Sequence, residues 1–250
     1  MCTGISRRKA EALVTAGNIK VNGRTIYSLS TKVSPLDDTV LLHNKKISQK
    51  QYVYYALNKP VGYTSTTFDP FAQQKVTDLV PKSPKVFPVG RLDKNSEGLI
   101  ILTNDGDFTN RITHPSTHIA KEYFVSAQVY KKNWTVSDLK RMERGLYIGK
   151  SKPERLLRGG PKGDSSEVKD VSEGSRYHKT LPAKITTWNH HGNIIDFHIE
   201  LSEGRKRQIR KMTHIIGAEV IKLQRVRIGK LKLGNLSSGE YREVQPQDVI

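Results

Sequence analysis

An aspartate, Asp93, lies between two short apolar runs of the chain, residues 86–89 and 99–102. Apolar runs of this length, bounded by Gly, Asn and Asp, predict strands that are covered on both faces, and the polar residues 94–98 predict a loop. A carboxylate at the point where the chain leaves the core is well placed to act on a bound molecule. An aspartate there more often hydrogen-bonds its own loop backbone, and on this stretch alone that interpretation is favoured.

A second candidate for chemistry is the segment LSEGRKRQIRKM, residues 201–212. It predicts a helix that opens with the basic residues Arg205, Lys206, Arg207 and Arg210. An aspartate at a core boundary needs a cationic or hydrogen-bonding partner to remain ionised, and such a helix supplies one. In a helix Arg210 points toward the apolar side more than Lys206 does. A phosphate-binding helix with no catalytic part explains the same residues, and for this segment alone it is the better interpretation.

Other signatures of chemistry are missing from the sequence. It has no Gly-rich phosphate loop, no dinucleotide fingerprint and no zincin helix. His190 and His191 share a predicted turn and His198 lies on the next predicted strand, but histidines without a nearby Cys or carboxylate cluster are more often surface and strand residues. The single cysteine excludes an internal disulfide framework and a Cys-rich zinc site. We therefore expect no metal.

The composition indicates the kind of partner. The chain has 250 residues, of which 36% are hydrophobic, and 42 Lys and Arg against 24 Asp and Glu give a net charge of +18. An excess of this size makes a polyanion the expected partner, because each neutralised phosphate releases counterions. A basic membrane-surface protein is the alternative, but no long apolar span and no signal-peptide pattern is present. A cytoplasmic, nucleic-acid-facing protein fits best.

The first part of the chain, residues 1–47, predicts a small basic module. Ser6 is a suitable helix N-cap, Gly17 a suitable stop, and Asn22-Gly23 predicts a hairpin turn. Basic residues surround the helix and hairpin: Arg7, Arg8, Lys9, Lys20 and Arg24. A charge run is usually a solvated helix face, but a basic hairpin that directly follows a basic helix favours a phosphate-binding platform. Residues 48–51 read as a linker.

The remainder, residues 52–250, predicts many short strands and a few helices. Strands are expected at 52–57, 121–130 and on both sides of a turn at His191-Gly192, and helices at 135–144 and 205–217. This pattern is typical of an α+β domain built on a mainly antiparallel sheet. The segment 151–179 has almost no apolar periodicity and predicts an exposed loop. Its basic half either contacts RNA or only increases solubility.

Four segments, taken together and in this order, resemble the RsuA-type ribosomal RNA pseudouridine synthases. They are YYALNKPVGYTST, VGRLDKNSEGLIILTNDGDFTNRITHP, KEYFV and IELSEGRKRQIRKM, and the first 47 residues resemble the S4 RNA-binding module of these enzymes. The resemblance covers nearly the whole chain apart from 151–179. It implies a catalytic domain with a central cleft and flanking helices, and an isomerase that converts a uridine of ribosomal RNA into pseudouridine without a cofactor.

The resemblance also implies roles for individual residues. Asp93 corresponds to the nucleophile, Tyr123 to the aromatic residue that packs on the target base, and Arg210 to the residue that pairs with the nucleophile. Arg91 corresponds to the residue that fills the gap left by the flipped base. A carboxylate nucleophile divides a difficult exchange into two easier steps, and a base must leave the stack before an enzyme can reach it.

Two features depart from the family pattern. Only five residues precede the basic helix, where the family module has a further helix, so a shortened module is expected. The 151–179 loop is longer than the family's connection. A non-catalytic S4-type RNA- or ribosome-binding protein is the rival hypothesis, and a hydrolase with Asp93 as base is a distant third. Asp93, Tyr123 and Arg210 favour the enzyme, acting as a monomer on ribosomal RNA without membrane or metal.

Overall fold

The computed structural model describes residues 5, 7–34, 37–47, 51–149 and 178–250. The predicted N-cap at Ser6, the linker apart from Gln51, the first four residues of the N-terminal module and residues 151–177 of the predicted loop lie outside the described residues. The chain divides into two compact units. Unit 1 comprises the described residues of Met1–Lys94, Gly98–Thr117 and Asn235–Ile250, and unit 2 those of Asn95–Glu97 and His118–Gly234.

The elements of the described residues alternate between short strands and a few short helices. The helices are α1 (Arg7–Thr15), α2 (Gly106–Thr113), α3 (Val136–Lys140) and α4 (Gln208–Ile215). The strands are β1 (Ile19–Val21), β2 (Arg24–Ile26), β3 (Val40–Leu42), β4 (Lys45–Lys46), β5 (Tyr54–Lys59), β6 (Phe87–Pro88), β7 (Glu97–Thr103), β8 (Lys121–Val129), β9 (Tyr147–Ile148), β10 (His178–Lys179), β11 (Lys184–His191), β12 (Ile194–Leu201), β13 (Ala218–Ile228), β14 (Leu231–Lys232) and β15 (Tyr241–Glu243).

The N-terminal module in unit 1 consists of α1 and a four-stranded sheet in the order β2-β1-β3-β4. β1 and β2 form the predicted hairpin. Its turn residues Asn22 and Gly23 have φ angles of 49° and 81°, the left-handed pair that a two-residue hairpin turn requires. Ile19 of β1 is buried, while α1 has no buried side chain among the described residues. The predicted helix and hairpin are confirmed.

The rest of unit 1 is built around β5 and β7. β5 pairs with β7 and β15, and β6 pairs with β7, all antiparallel. Every residue of β5 is buried, and Leu99, Ile100, Ile101 and Leu102 of β7 are each at most 1% exposed. The prediction that this run is covered on both faces is therefore confirmed. The two strands form a rigid base from which the loop around Asp93 emerges.

Unit 2 contains a four-stranded antiparallel segment in the order β11-β12-β8-β13, with β14 paired to β13. Alternate residues of β12 and β8 are buried, as expected for strands with one covered face. α4 buries Ile209 and Met212 on its apolar side. α3 begins with a capping box between Thr135 and Asp138, and its continuation ends at Gly145, as predicted.

Three predicted boundaries were wrong. α4 begins at Gln208 and not at Arg205, because Arg207 adopts a left-handed conformation with φ 54° that a helix cannot continue through. The first strand of the catalytic region runs from Tyr54 to Lys59 and not from 52 to 57. The last two residues of the predicted loop, His178 and Lys179, form β10, which pairs with β9.

The predicted α+β class, an S4 module followed by a sheet-based catalytic region, is confirmed. Within the parts of the chain that the structure describes, no helix has the length and apolar character needed to cross a bilayer.

Candidate active site

Asp93 is half-buried between β6 and β7, and the backbone just before it is fixed by one hydroxyl group. Ser65 Oγ donates a hydrogen bond to the carbonyl of Leu92 at 2.9 Å and accepts one from the Leu92 N–H at 3.1 Å. Ser65 is 4% exposed and Leu92 is 7% exposed, so water offers little competition for either bond. The residue that precedes the carboxylate therefore has both of its backbone polar groups tied down.

The backbone just after Asp93 is held in the same way. The Gly62 N–H donates to the carbonyl of Lys94 at 2.8 Å, and Lys59 Nζ donates to Pro60 O at 2.9 Å and to Lys94 O at 3.4 Å. Lys59 is fully buried, and a buried ammonium needs such acceptors. Gly62 has φ 95°, a conformation that favours glycine. Asp93 is thus carried on a backbone segment braced on both sides, as a pre-organised catalytic group requires.

Arg210 binds the same motif slightly further along the chain. Its Nη2 donates to the carbonyl of Asn95 at 2.7 Å and to Ser96 Oγ at 3.4 Å, and its Nη1 donates to Val220 O at 3.4 Å. Within unit 2, the structure therefore brings Arg210 to Asn95 and Ser96, which lie two and three positions after Asp93. A salt bridge between Lys222 Nζ and Glu97 Oε1, 3.0 Å apart, also holds this stretch of the chain. The pairing of Arg210 with Asp93 itself stays a prediction.

Tyr123 lies in the middle of the unit 2 sheet, on β8. It is 9% exposed and faces Ile199 of β12 and Arg225 of β13 in the strand register. Lys121, two residues earlier, projects from the same face of β8. Burial, with the nearby charge of Arg225 as a second cause, lowers the pKa of Lys121 to about 8. The surroundings of Tyr123 are therefore rich in cationic groups, which suits an anionic ligand.

The opposite face of β8 carries an ion-pair cluster that spans three strands. Arg227 of β13 donates from Nε to Glu122 Oε2 at 2.9 Å and pairs through Nη2 with Glu200 of β12. His198 Nδ1 lies 3.1 Å from Glu122 Oε1. Burial alone raises the pKa of Glu122, but the hydrogen bonds from Arg227 and His198 outweigh it and hold that pKa below its usual value. The cluster gives His198 a structural role on its strand, and it links the three neighbouring strands of the sheet that carries Tyr123.

The turn before α4 is held by Glu203 and Gln208. Glu203 accepts from the Leu181 N–H at 2.7 Å, from Gln208 Nε2 at 2.9 Å and from Arg205 Nε at 2.8 Å. Gln208 Oε1 in turn accepts from the Arg205 N–H at 3.0 Å. This network replaces the predicted first helical turn. It leaves Lys206 and Arg207 exposed, while the Arg205 guanidinium is engaged by Glu203.

The other basic residues predicted to bind RNA are mostly exposed. Arg7, Arg8, Lys9 and Arg24 of the N-terminal module and Arg91 beside Asp93 are exposed, and Lys20 is half-buried. Arg7 pairs with Glu11 at 2.8 Å, an exposed pair of the kind that contributes little to stability. In the described part of the chain, no group of three or more His, Cys, Asp or Glu is arranged to hold a metal ion.

Sequence reasoning missed the residues that brace the site. Ser65 and Glu203 carry no signal of their own, because each acts on backbone groups far away in the sequence. One signal was available for Lys59. It ends a strand whose other residues are nearly all apolar, so a buried ammonium with carbonyl acceptors was to be expected.

Comparison with known proteins decides the family. A family model described as RNA pseudouridylate synthase matches residues 53–214, more than half of the chain, and a model of the S4 domain matches residues 4–40. The chain belongs to the RNA pseudouridine synthase family. This synthase is therefore an isomerase that converts uridine in RNA to pseudouridine, and the predicted RsuA-type resemblance is confirmed.

Several relatives of the synthase are similar over nearly its full length. The ribosomal large subunit pseudouridine synthase B of Bacillus subtilis is 34% identical, over 98% of this chain and 88% of that protein. The dual-specificity RNA pseudouridine synthase RluF of Escherichia coli is 33% identical, over 98% of this chain and 73% of that protein. An uncharacterized RNA pseudouridine synthase of Aquifex aeolicus is 35% identical, over 98% and 87%.

The fold is shared with a solved structure. A crystal structure of a pseudouridylate synthase, 24% identical in sequence, aligns over 99% of this chain and 94% of its own with a TM-score of 0.58.

Proposed function

We propose that the synthase modifies one specific uridine of ribosomal RNA, with Asp93 as the nucleophile. The ribosomal substrate is supported by the similarity to a ribosomal large subunit pseudouridine synthase and by the +18 charge, which suits a polyphosphate partner. A synthase with this substrate works in the cytoplasm, and we propose that it acts as a monomer.

The observation that carries the proposal is the bracing of Asp93. The hydroxyl of Ser65 fixes Leu92 on one side, and Gly62 and Lys59 fix the Lys94 carbonyl on the other. A nucleophile that must attack one atom of a flipped nucleotide gains from such rigidity, because no ordering of the carboxylate is then required during the reaction.

Two further side chains complete the proposed mechanism. Tyr123 packs on the uracil ring that has left the RNA stack and replaces the stacking that it lost. Arg210 pairs with Asp93, which keeps the carboxylate ionised and oriented. Arg91, exposed beside the nucleophile, occupies the gap that the flipped nucleotide leaves. Exchange of the N–C glycosidic bond for a C–C bond needs no external reductant or cofactor, since the product is an isomer of the substrate.

Mapping of pseudouridines in ribosomal RNA from cells with and without the gene tests the proposed substrate. We expect one uridine, or a small set, to lose its modification in the deletion strain and to regain it when the gene is restored. Loss of pseudouridine from another RNA, with ribosomal RNA unchanged, would reject the ribosomal substrate. No change in any RNA would favour a protein that only binds RNA.

A further inference from the structure

The loop of residues 66–74 in unit 1, TTFDPFAQQ, presents two phenylalanines to water. Phe68 is 81% exposed and Phe71 is 93% exposed, more than any other large hydrophobic side chain in the described parts of the chain. Single exposed apolar residues are common on protein surfaces, but two nearly bare phenyl rings three positions apart form an apolar patch at the tip of one loop.

The loop holds the two rings outward by its own polar groups. Thr66 Oγ1 donates to the Phe68 carbonyl at 2.9 Å and accepts from the Phe68 N–H at 3.2 Å. Asp69 Oδ1 accepts from the Phe71 N–H at 2.9 Å, and the Asp69 carbonyl accepts from the Ala72 N–H at 3.2 Å. The backbone beside each ring is thus fixed, so both side chains leave the loop from defined positions.

The base of the loop is attached to the chain beside Asp93. Ser65, directly before the loop, forms the two hydrogen bonds with Leu92 described above. The Thr64 N–H donates to the Gln74 carbonyl at 3.0 Å, which closes the loop at the same point. Phe68 lies three residues beyond Ser65, so its Cα is at most about 11 Å from this anchor. That distance corresponds to about three nucleotides at the ~3.4 Å spacing of stacked bases.

We propose that Phe68 and Phe71 stack on unpaired bases of the RNA next to the target uridine. The inference rests on the proposed function, because it takes the nucleotide at Asp93 as its reference point. RNA is recognised mainly through single-stranded regions whose bases stack on aromatic side chains. Every base has a π-face, so two phenyl rings retain the strand around the flipped nucleotide without reading its sequence. Basic side chains elsewhere on the protein bind the phosphates, so the bases are available to stack on the two phenyl rings.

Binding of a short, fluorescein-labelled single-stranded RNA tests the proposal. The double variant Phe68→Ala/Phe71→Ala is expected to bind it about 5- to 150-fold more weakly for each stacked base that is lost, which is the stacking energy of about 1–3 kcal/mol per base converted at about 1.4 kcal/mol per tenfold. The slope of affinity against salt concentration should not change, because no phosphate contact is lost. Affinity for the same strand in a duplex should also stay constant, since its bases are already stacked.

Two further variants separate stacking from other effects. Phe68→Leu/Phe71→Leu keeps apolar bulk and the loop hydrogen bonds but removes the π-faces, so it should lose most of the same affinity. Trp188→Ala is the matched control, because it removes an exposed aromatic ring (47% exposed) from β11 of unit 2 and should leave RNA affinity unchanged. Circular dichroism confirms that each variant is folded.

The outcomes distinguish this inference from the proposed function. Unchanged RNA affinity in the Ala variant would overturn the inference. If the sedimentation coefficient of the Ala variant also differed from that of the wild type, the rings would instead contact a second copy of the chain. Turnover by the wild-type protein is measured separately on ribosomal RNA. If the wild type forms no pseudouridine there while the Ala variant loses affinity for the single strand, the proposed function fails and the stacking surface stands.

Discussion

Arg210 binds the chain two residues beyond Asp93, and both of its terminal guanidinium nitrogens are engaged. Nη2 holds the Asn95 carbonyl and Nη1 lies within hydrogen-bonding distance of the Val220 carbonyl. A planar guanidinium can serve such acceptors and still present an N–H to a carboxylate, whereas a lysine ammonium is a point charge on a flexible stem. The residue therefore has two tasks, to position the 94–96 loop and to pair with Asp93, and the second of these is still a prediction.

Arg210→Ala is expected to lower the rate of pseudouridine formation by about 100-fold or more, the usual cost of removing a pre-organised charged donor. RNA affinity should fall far less, because Arg210 is half-buried and turned toward the protein. Single-turnover rates and RNA dissociation constants measure the two effects. Arg210→Lys, which keeps the charge but not the fork, should restore little of the rate. Equal losses of rate and affinity would show that Arg210 only binds RNA.

Lys121 gives the fold a pH dependence, because burial and the charge of Arg225 lower its pKa. Burial lowers its pKa to about 8, whereas in the unfolded chain it titrates near 10.5. Between these values the unfolded state binds more protons than the folded state, so the free energy of unfolding rises with pH. The cost of the buried charge is fully present below about pH 8 and is relieved as the pH approaches 10.5.

Urea unfolding at about pH 7.5 and about pH 9.5 measures this effect. The wild type should gain about 1 kcal/mol relative to Lys121→Met over that interval, a value reduced for screening by water at a half-buried side chain. Parallel stability curves for the two proteins would mean that Lys121 stays protonated in the folded protein.

The elements show where sequence patterns were sufficient and where they were not. The apolar run 99–102, the Asn22-Gly23 turn and the Thr135–Asp138 capping box are local signals, and each predicted its element correctly. The start of α4 failed because every residue from Arg205 onward has an adequate helix propensity. The left-handed backbone of Arg207 ends that series, and the contact from the Leu181 N–H to Glu203 joins residues 22 positions apart, so neither leaves a periodic trace in the sequence.

In the candidate site, too, some features could be predicted from the sequence and others could not. The sequence places Asp93 between two apolar runs, but only the resemblance to the synthase family gave it a role, since this stretch alone favoured an ordinary loop aspartate. Its bracing is not visible, since Ser65 and Leu92 are 27 positions apart and Lys59 and Lys94 are 35 positions apart. A serine with a long-range backbone partner looks like an ordinary loop residue until the chain is folded, and the apolar strand before Lys59 indicates its burial but not its partner.

α1 and the β1–β2 hairpin together form a basic platform. Arg7, Arg8, Lys9 and Arg24 are exposed there, and we predict that they contact phosphates and not bases. Substitution of these residues by Gln should weaken RNA binding and lower the salt slope by about 0.7–0.9 per lost contact, while the modified uridine stays the same. Filter binding over a salt series and pseudouridine mapping provide the readouts.

Lys140→Gln is the control for the platform, because Lys140 is an exposed lysine of α3 in unit 2 and its loss removes the same charge elsewhere. A salt slope that falls equally in the control and in the platform variants would mean that net charge, and not the platform, sets the affinity. A changed modification site would mean that the module reads sequence.

The whole molecule combines strong positive charge with one carboxylate, that of Asp93, on a backbone segment that is hydrogen-bonded on both sides. The +18 charge favours any polyanion, so it confers affinity without selecting a target. In the proposed mechanism, selection comes from the shape of the RNA at the site, where a base leaves its stack before Asp93 reaches it. On this account, RNA binding and chemistry are separable, because basic side chains supply the first and a single carboxylate the second.

Tritium release from 5-tritiated uridine in ribosomal RNA tests this central claim most directly, since the hydrogen at C5 is lost when the new C–C bond forms there. The account predicts release by the wild type and none by Asp93→Asn, which keeps the shape of the side chain but lacks the nucleophile, while both bind RNA equally well. Asp107→Asn, a change at an exposed aspartate in the first turn of α2, should release tritium at the wild-type rate. Appreciable release by Asp93→Asn would contradict the account.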